Sequence, residues 1–164
     1  MTIESEQHPI WMSDRAPAGH SAVRVLIVAR QTATSVELQQ AVAERINDGV
    51  CDFTLLVPAE VHGLHRVVDP EEHGVEEAER TIATAVPLLS RAAGREVHGM
   101  VGSHDPLAAT ADAINLHGFD EAIVSMLQPR LSRWLHLDLA RKIAAMGLPV
   151  TTVVAAEGSS RLAA

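Results

Sequence analysis

Apolar segments and segments with helical spacing alternate along the chain. Short apolar runs rich in β-branched residues predict strands over residues 23–29, 52–57, 96–101, 119–126 and 149–155. Between them, apolar residues recur at helical spacing, which predicts helices over residues 35–47, 75–94, 105–118 and 135–146. This alternation predicts a Rossmann-like α/β fold, with a five-stranded parallel open sheet and helices on both of its faces.

Composition and charge limit the class of protein. The chain has 164 residues, of which 47% are hydrophobic and 21% charged, as is typical of one globular domain. We expect this domain over residues 21–156, between a flexible N-terminal tail (1–20) and a short C-terminal tail (157–164). The net charge of −8 argues against a nucleic-acid partner, and the lack of a long apolar run argues against a membrane span. A single cysteine, Cys51, favours a cytoplasmic protein with a buried thiol.

The carboxyl ends of the first and fourth strands are the expected ligand site, because folds of this type bind ligands where the strand order reverses. These ends are Ala29–Thr32 and Ser125–Arg130, and Gly102–Asp105 after the third strand can also reach the site. A phosphate site of this kind needs glycines, yet none occurs between Gly118 and Gly147. The candidate pocket residues are Arg30, Gln31, Thr32, Val57, Gly102, Ser103, Ser125, Gln128, Arg130, Ser132, Arg133 and Asp138.

The charged residues of this pocket have two interpretations. Arg30, Arg130 and Arg133 can converge on an anion through bidentate contacts. Alternatively, Arg30 and Asp138 can pair and seal the pocket, and a sealed pocket or ordinary surface charge is favoured because exposed arginines are common. We expect Asp138 to cap the N-terminus of the fourth helix. Its charge would repel a phosphate about 4 Å away by roughly 1 kcal/mol in water and about 4 kcal/mol at an effective dielectric near 20.

Catalytic and metal-binding residue sets are weak in this sequence, and we assign neither. Ser103-His104-Asp105 contains the residue types of a catalytic triad, but adjacent residues on a turn rarely orient toward one another. Asp105-Pro106 instead indicates a capped helix start. His62, His65 and His73 would supply only part of a zinc site, which needs three or four ligands and a supporting shell.

Three segments resemble the universal stress protein family in sequence and in order. The third strand and glycine turn of the family resemble Val101-Gly-Ser-His-Asp-Pro-Leu. The Leu-Ser-Arg-Leu-Leu segment of the family resembles Leu131-Ser-Arg-Trp-Leu. The final strand of the family resembles Leu148-Pro-Val-Thr-Thr-Val-Val. The resemblance covers residues 23–155. It implies an adenine nucleotide α-hydrolase-like fold, a regulatory or stress-response role and homodimers. In one branch of the family it also implies ATP binding through Gly-x-x-Gly followed by Gly-Ser or Gly-Thr.

This chain departs from that ATP-binding branch at three places. Ser125–Arg130 contain no glycine, Leu137-Asp138 stand in place of Gly-Ser, and Arg30 stands in place of the first-strand aspartate. We therefore expect a divergent, non-catalytic regulatory module without a cofactor, which does not bind ATP in the family's usual way. One alternative is a sensor that binds ATP, AMP or another small anion in an altered pocket. The other is a small hydrolase that uses Ser103, His104 or a metal ion whose ligands the sequence does not reveal.

The last strand is the expected dimer interface. It carries few charges over Val150, Thr151, Thr152, Val153 and Val154, and an uncovered edge strand of this kind is commonly paired. The family resemblance implies dimerisation through this strand, and twofold dimers are the commonest oligomers. We expect a homodimer, with a further protein partner that the sequence does not identify, and we expect Val153→Lys to produce monomers.

Overall fold

Strands and helices alternate through the described chain, which in this computed structural model comprises residues 22–60, 70–128 and 133–156. In chain order the elements are β1 (Val23–Val28), α1 (Val36–Asn47), β2 (Cys51–Pro58), α2 (Pro70–Ala93), β3 (Val97–Gly102), α3 (Pro106–His117), β4 (Glu121–Leu127), α4 (Arg133–Ala145) and β5 (Val150–Ala155). Each strand and helix predicted from the pattern is present. The predicted tails, 1–20 and 157–164, lie outside the described residues.

All five strands form one parallel sheet in the order β3-β2-β1-β4-β5. In this sheet β1 is central: Val25 is paired with Phe53 of β2 on one side and with Glu121 of β4 on the other. The chain moves outward in one direction from β1 to β3 and in the other direction from β4 to β5. The predicted fold class is confirmed, and so is the reversal of strand order between β1 and β4.

Apolar layers cover both faces of the sheet. Val25 and Ile27 pack in a buried cluster with residues of α1 and α2, such as Leu38 of α1. Leu26 and Val28, which alternate with them along β1, pack in a second cluster with residues of α3 and α4, such as Ile143. Because successive side chains of a strand point to opposite faces, the continuous apolar run of β1 requires this cover on both sides.

Local capping interactions place the starts of α1 and α3 at the carboxyl edge of the sheet. The Ser35 hydroxyl accepts a hydrogen bond from the Leu38 backbone N–H at 3.2 Å. The Asp105 carboxylate accepts one from the Leu107 N–H at 2.8 Å, with Pro106 at the first helical position. Both arrangements satisfy backbone donors that a helix start leaves without partners. The predicted Asp-Pro helix start is confirmed.

Candidate functional site

A cavity of about 450 Å³ opens at the carboxyl ends of β1 and β4. Small-molecule sites typically have volumes of about 300–1,000 Å³. The turn between β1 and α1, the end of β4, the start of α3 and one face of α4 form its walls. The lining residues are Val28, Ala29, Arg30, Gln31, Thr32, Pro58, Asp105, Pro106, Leu107, Val124, Ser125, Met126, Leu127, Asp138, Leu139 and Lys142.

Part of the predicted pocket is brought together in this cavity. Arg30, Gln31, Thr32, Ser125 and Asp138 all line it, although they come from three separate parts of the sequence. They meet because β1 and β4 are adjacent in the sheet and because residues of α4 line the same cavity.

Three further predicted residues lie near the cavity without lining it. Val57 lines a smaller neighbouring cavity of about 80 Å³, which Arg30 also borders. Gly102 lies beneath α3, where a Cβ atom would stand 2.6 Å from the Ala109 Cβ, so this glycine permits close helix packing. Ser103 is exposed, and its hydroxyl donates to the Asp105 carbonyl at 3.4 Å.

The remaining predicted residues fall at or beyond the end of β4. Gln128 is exposed, and its backbone N–H donates to the Ala155 carbonyl at 3.0 Å. Arg130 and Ser132 lie outside the described residues. Arg133 begins α4, and its side chain lies outside the description. The anion site predicted from three converging arginines therefore keeps only Arg30 among the side chains that the structure describes.

Lys142 is a charged residue of the cavity that the sequence analysis missed. It is the only lysine of the chain, and its Nζ lies 2.7 Å from Asp138 Oδ2. The spacing of Asp138 and Lys142 could have identified it from the sequence, because residues four apart on a helix lie on the same face. A carboxylate assigned to the pocket therefore places Lys142 beside it.

The predicted capping role of Asp138 is wrong. α4 begins at Arg133, so Asp138 lies inside the helix, where the first-turn backbone donors are out of its reach. Its carboxylate instead binds Lys142, and this hydrogen bond is the main cause that raises the pKa of Lys142 above its usual value. Both side chains are about half exposed, at 56% and 52%, which places the ion pair at the mouth of the cavity.

Arg30 has a different partner. Its Nη1 lies 3.5 Å from Glu60 Oε1. The structure thus gives Arg30 and Asp138 separate partners in place of the ion pair that would join them across the pocket. Each positive charge on the described lining is accompanied by a carboxylate.

Two buried hydroxyl groups line the cavity without a hydrogen-bond partner. Thr32 is 2% exposed and Ser125 is 7% exposed. Neither the Thr32 Oγ1 nor the Ser125 Oγ makes a hydrogen bond within the structure. Buried polar groups in proteins are nearly always paired. Each of the two oxygens is buried, and its hydrogen-bonding capacity is unused among the described residues.

The candidate triad is held as a helix start. The Asp105 carboxylate accepts hydrogen bonds from the Leu107 and Ala108 backbone N–H groups at 2.8 and 3.4 Å. Ser103 and His104 are exposed beside it. This arrangement stabilises α3 and leaves the carboxylate oriented toward the backbone of its own helix.

The described ranges contain neither a metal site nor a membrane-spanning helix. There, no group of three or more His, Cys, Asp or Glu side chains is placed to hold a metal ion. His62 and His65 belong to residues 61–69, outside those ranges. No described helix combines the length and the apolar character that crossing a membrane requires.

The fold and cavity define a Rossmann-like α/β protein with a ligand-sized cavity at its switch point. Among solved structures, this chain is similar to the universal stress protein from Archaeoglobus fulgidus, with 14% identity, a TM-score of 0.57, and coverage of 80% of this chain and 93% of that one. A structure of the universal stress protein from Archaeoglobus fulgidus in complex with dAMP is also similar, with 16% identity, a TM-score of 0.52, and coverage of 81% and 98%. A hypothetical protein matches with 17% identity, a TM-score of 0.56, and coverage of 80% and 96%.

No protein-family model and no curated protein matches the sequence. At the identities of the structural matches, the likeness establishes the fold. The chain has the universal stress protein fold, so the resemblance noted from three sequence segments is confirmed at that level.

Proposed function

We propose that this protein is a stress-response regulator that senses a small polar molecule in its cavity and catalyses no reaction. The observation that carries this proposal is the pair of buried, unpartnered hydroxyls of Thr32 and Ser125 on the lining of a 450 Å³ cavity. A binding site typically combines mostly apolar walls with a few polar groups of this kind. The similarity of the fold to universal stress proteins supports the regulatory role.

The ligand we propose is of nucleoside size. The cavity volume suits such a molecule, and the similar structure in complex with dAMP supports a ligand of this chemical kind. ATP is a poorer candidate, because the segment between Gly118 and Gly147 has no glycine to bring backbone N–H groups around a polyphosphate. Lys142 and Arg30 are also already accompanied by carboxylates.

Binding without catalysis is supported by how the described ionisable groups of the cavity are used. Asp105 caps α3, Asp138 binds Lys142, and Arg30 binds Glu60. A general base must lie within hydrogen-bond reach of the group that it deprotonates. Neither the Thr32 nor the Ser125 hydroxyl has a hydrogen-bond partner of any kind within the structure.

We further propose a homodimer formed through β5, in a reducing cytoplasm. β5 is an edge strand that pairs with β4, and it presents the exposed residues Thr151, Thr152 and Val154. Val154 leaves 48% of its surface exposed in the single chain, which is unusual for a valine on a strand. The free thiol of Cys51 is compatible with a reducing compartment.

Calorimetric titration with adenosine, AMP and ATP, after native mass spectrometry of the purified protein, tests the sensing function. We expect binding of a nucleoside-sized probe, and we expect Thr32→Val and Ser125→Ala each to weaken it by about fivefold, which corresponds to the loss of one hydrogen bond. Melting temperatures should stay unchanged, because neither hydroxyl makes a hydrogen bond with the part of the chain that the structure describes. Thr84→Val is the matched control, since the Thr84 hydroxyl donates to the Arg80 carbonyl at an exposed position of α2.

Silence toward all three probes at millimolar concentration, with no retained ligand mass, would contradict sensing. It would favour the second candidate, an interaction module that acts through its surface without a small ligand. The exposed edge of β5 is the specific feature that favours this second candidate.

A further inference from the structure

We infer that Asp138 sets the charge preference of the cavity: by holding Lys142, it makes the site accept an uncharged ligand and exclude phosphate. This inference rests on the proposed sensing function and specifies the class of molecule sensed. It assigns to Asp138 the role of a specificity-determining residue.

The first step concerns the positive charges. Arg30 and Lys142 are the cationic side chains on the described lining of the cavity. Lys142 Nζ lies 2.7 Å from Asp138 Oδ2, and Arg30 Nη1 lies 3.5 Å from Glu60 Oε1. A phosphate that enters the cavity would have to compete with a carboxylate for either cation. Asp138 is the nearer competitor, because it lines the cavity beside Lys142.

The second step concerns the helix that points into the site. The N-terminus of α3 lies at the cavity, where its free backbone N–H groups would ordinarily attract an anion. Those of Leu107 and Ala108 already bind the Asp105 carboxylate. The elements on the described lining that could attract phosphate are Arg30, Lys142 and the N-terminus of α3, and each is thus accompanied by a carboxylate of the chain itself.

The third step concerns the groups that remain for a ligand. Thr32 and Ser125 offer neutral hydroxyls, each able to donate and accept one hydrogen bond or more. Around them, Leu107, Val124 and Leu139 present apolar surface. Neutral hydroxyls within apolar walls suit an uncharged molecule that has hydrogen-bonding edges and an apolar face, and a nucleoside fits this chemistry.

The test replaces Asp138 with its uncharged isostere. Calorimetric titrations at low salt compare wild type, Asp138→Asn and Glu76→Gln, with adenosine, AMP and inorganic phosphate as probes. Glu76→Gln is the matched control, because Glu76 pairs with Arg80 at the same i,i+4 spacing on the exposed face of α2, away from the cavity. Wild type should bind adenosine more tightly than AMP. In Asp138→Asn the ratio of AMP affinity to adenosine affinity should rise by roughly five- to tenfold, as expected for removing one half-exposed charge near the phosphate.

A second variant ties the effect to Lys142. The double variant Asp138→Asn/Lys142→Met should lose the affinity for phosphate and AMP that Asp138→Asn gains. That affinity should also fall with added salt, because it depends on an exposed cation. Circular dichroism and melting curves check that each variant is folded.

The outcomes separate this inference from the proposed function. If wild type binds adenosine but Asp138→Asn gains no preference for AMP or phosphate, the inference is overturned and sensing stands. If wild type binds neither adenosine nor AMP, sensing is overturned. In that case, phosphate binding by Asp138→Asn but not by wild type would support the role of Asp138. If Asp138→Asn does not bind phosphate either, that role is overturned as well.

Discussion

Arg45 and Glu121 form an ion pair that joins the last turn of α1 to the first residue of β4. They lie 76 residues apart in the sequence, and Arg45 Nε donates to Glu121 Oε1. Both side chains are mostly buried, with 20% and 22% of their surface exposed. The hydrogen bond to Glu121 is the main cause that raises the pKa of Arg45. Since β4 also borders the cavity, this pair connects the helix layer to one of the two strands that form the site.

The Arg45–Glu121 pair should contribute measurably to stability. We expect Glu121→Gln or Arg45→Met to lower the free energy of unfolding by about 2 kcal/mol, because each leaves a charged, largely buried partner unpaired. The double variant should lose less than the sum of the two single losses. Urea unfolding of all four proteins measures this coupling, and strictly additive losses would show that the two residues act independently.

Gly102 should be sensitive to the smallest side chain. In Gly102→Ala the new methyl group would stand 2.6 Å from the Ala109 Cβ and 2.8 Å from the Leu56 Cδ1, so α3 must shift and the Leu56 side chain must rotate. We expect a loss of about 1–3 kcal/mol, typical of overpacking, with weaker ligand binding because α3 begins at the cavity. Urea unfolding measures the loss. Ser103→Ala is the control at the neighbouring exposed residue, and its free energy of unfolding should stay within about 0.5 kcal/mol of that of wild type. Equal stability of the two variants would argue against close packing at Gly102.

The buried thiol of Cys51 should make the protein less stable at alkaline pH. Burial is the main cause that raises the pKa of this thiol above its usual value. The folded-state pKa of the thiol lies above its unfolded-state value of about 8.5. The buried, protonated thiol therefore makes its full contribution to the free energy of unfolding below that pH. This contribution is lost as the pH rises through the folded-state pKa.

Unfolding by urea at a series of pH values from neutral to alkaline checks this expectation. Compared with Cys51→Ala, wild type should lose stability more steeply on the alkaline side, and its thiol should react slowly with maleimide while the protein is folded. Parallel pH profiles for the two proteins would contradict a shifted thiol pKa.

The homodimer proposed through β5 is best tested at Val154. Val153 is only 9% exposed and belongs to the core cluster, so Val153→Lys would damage the fold of the single chain. Val154 is 48% exposed and can be changed without opening the core. We expect Val154→Lys to convert the dimer to a monomer, because an uncompensated charge on an edge strand opposes pairing.

Light scattering after size-exclusion chromatography gives the solution mass of each variant. Val75→Lys is the matched control, since Val75 is 40% exposed on α2, which packs against β2 and β3 at the far side of the sheet. A dimer that persists in Val154→Lys would place the interface elsewhere.

The order of the elements and the place of the site follow from local pattern in the sequence. Val25–Val28 form an uninterrupted apolar run, and a strand with both faces apolar is stable only between two layers. Asp105-Pro106 indicate a helix start by side-chain chemistry that acts over two or three residues. Strand alternation also requires Val153 and Val154 to face opposite sides of the sheet. These features are set by short-range physics, so they can be predicted from the sequence.

The tertiary structure alone decided which groups become partners. Asp138 was expected at a helix N-terminus, but α4 begins at Arg133, and the same carboxylate holds Lys142 at the cavity mouth. Which of Val153 and Val154 faces the core depends on the layer packed against β5. The physical reason is that charge pairing and burial depend on distances between separate elements. Small shifts in helix start or register change those distances while leaving the sequence pattern intact.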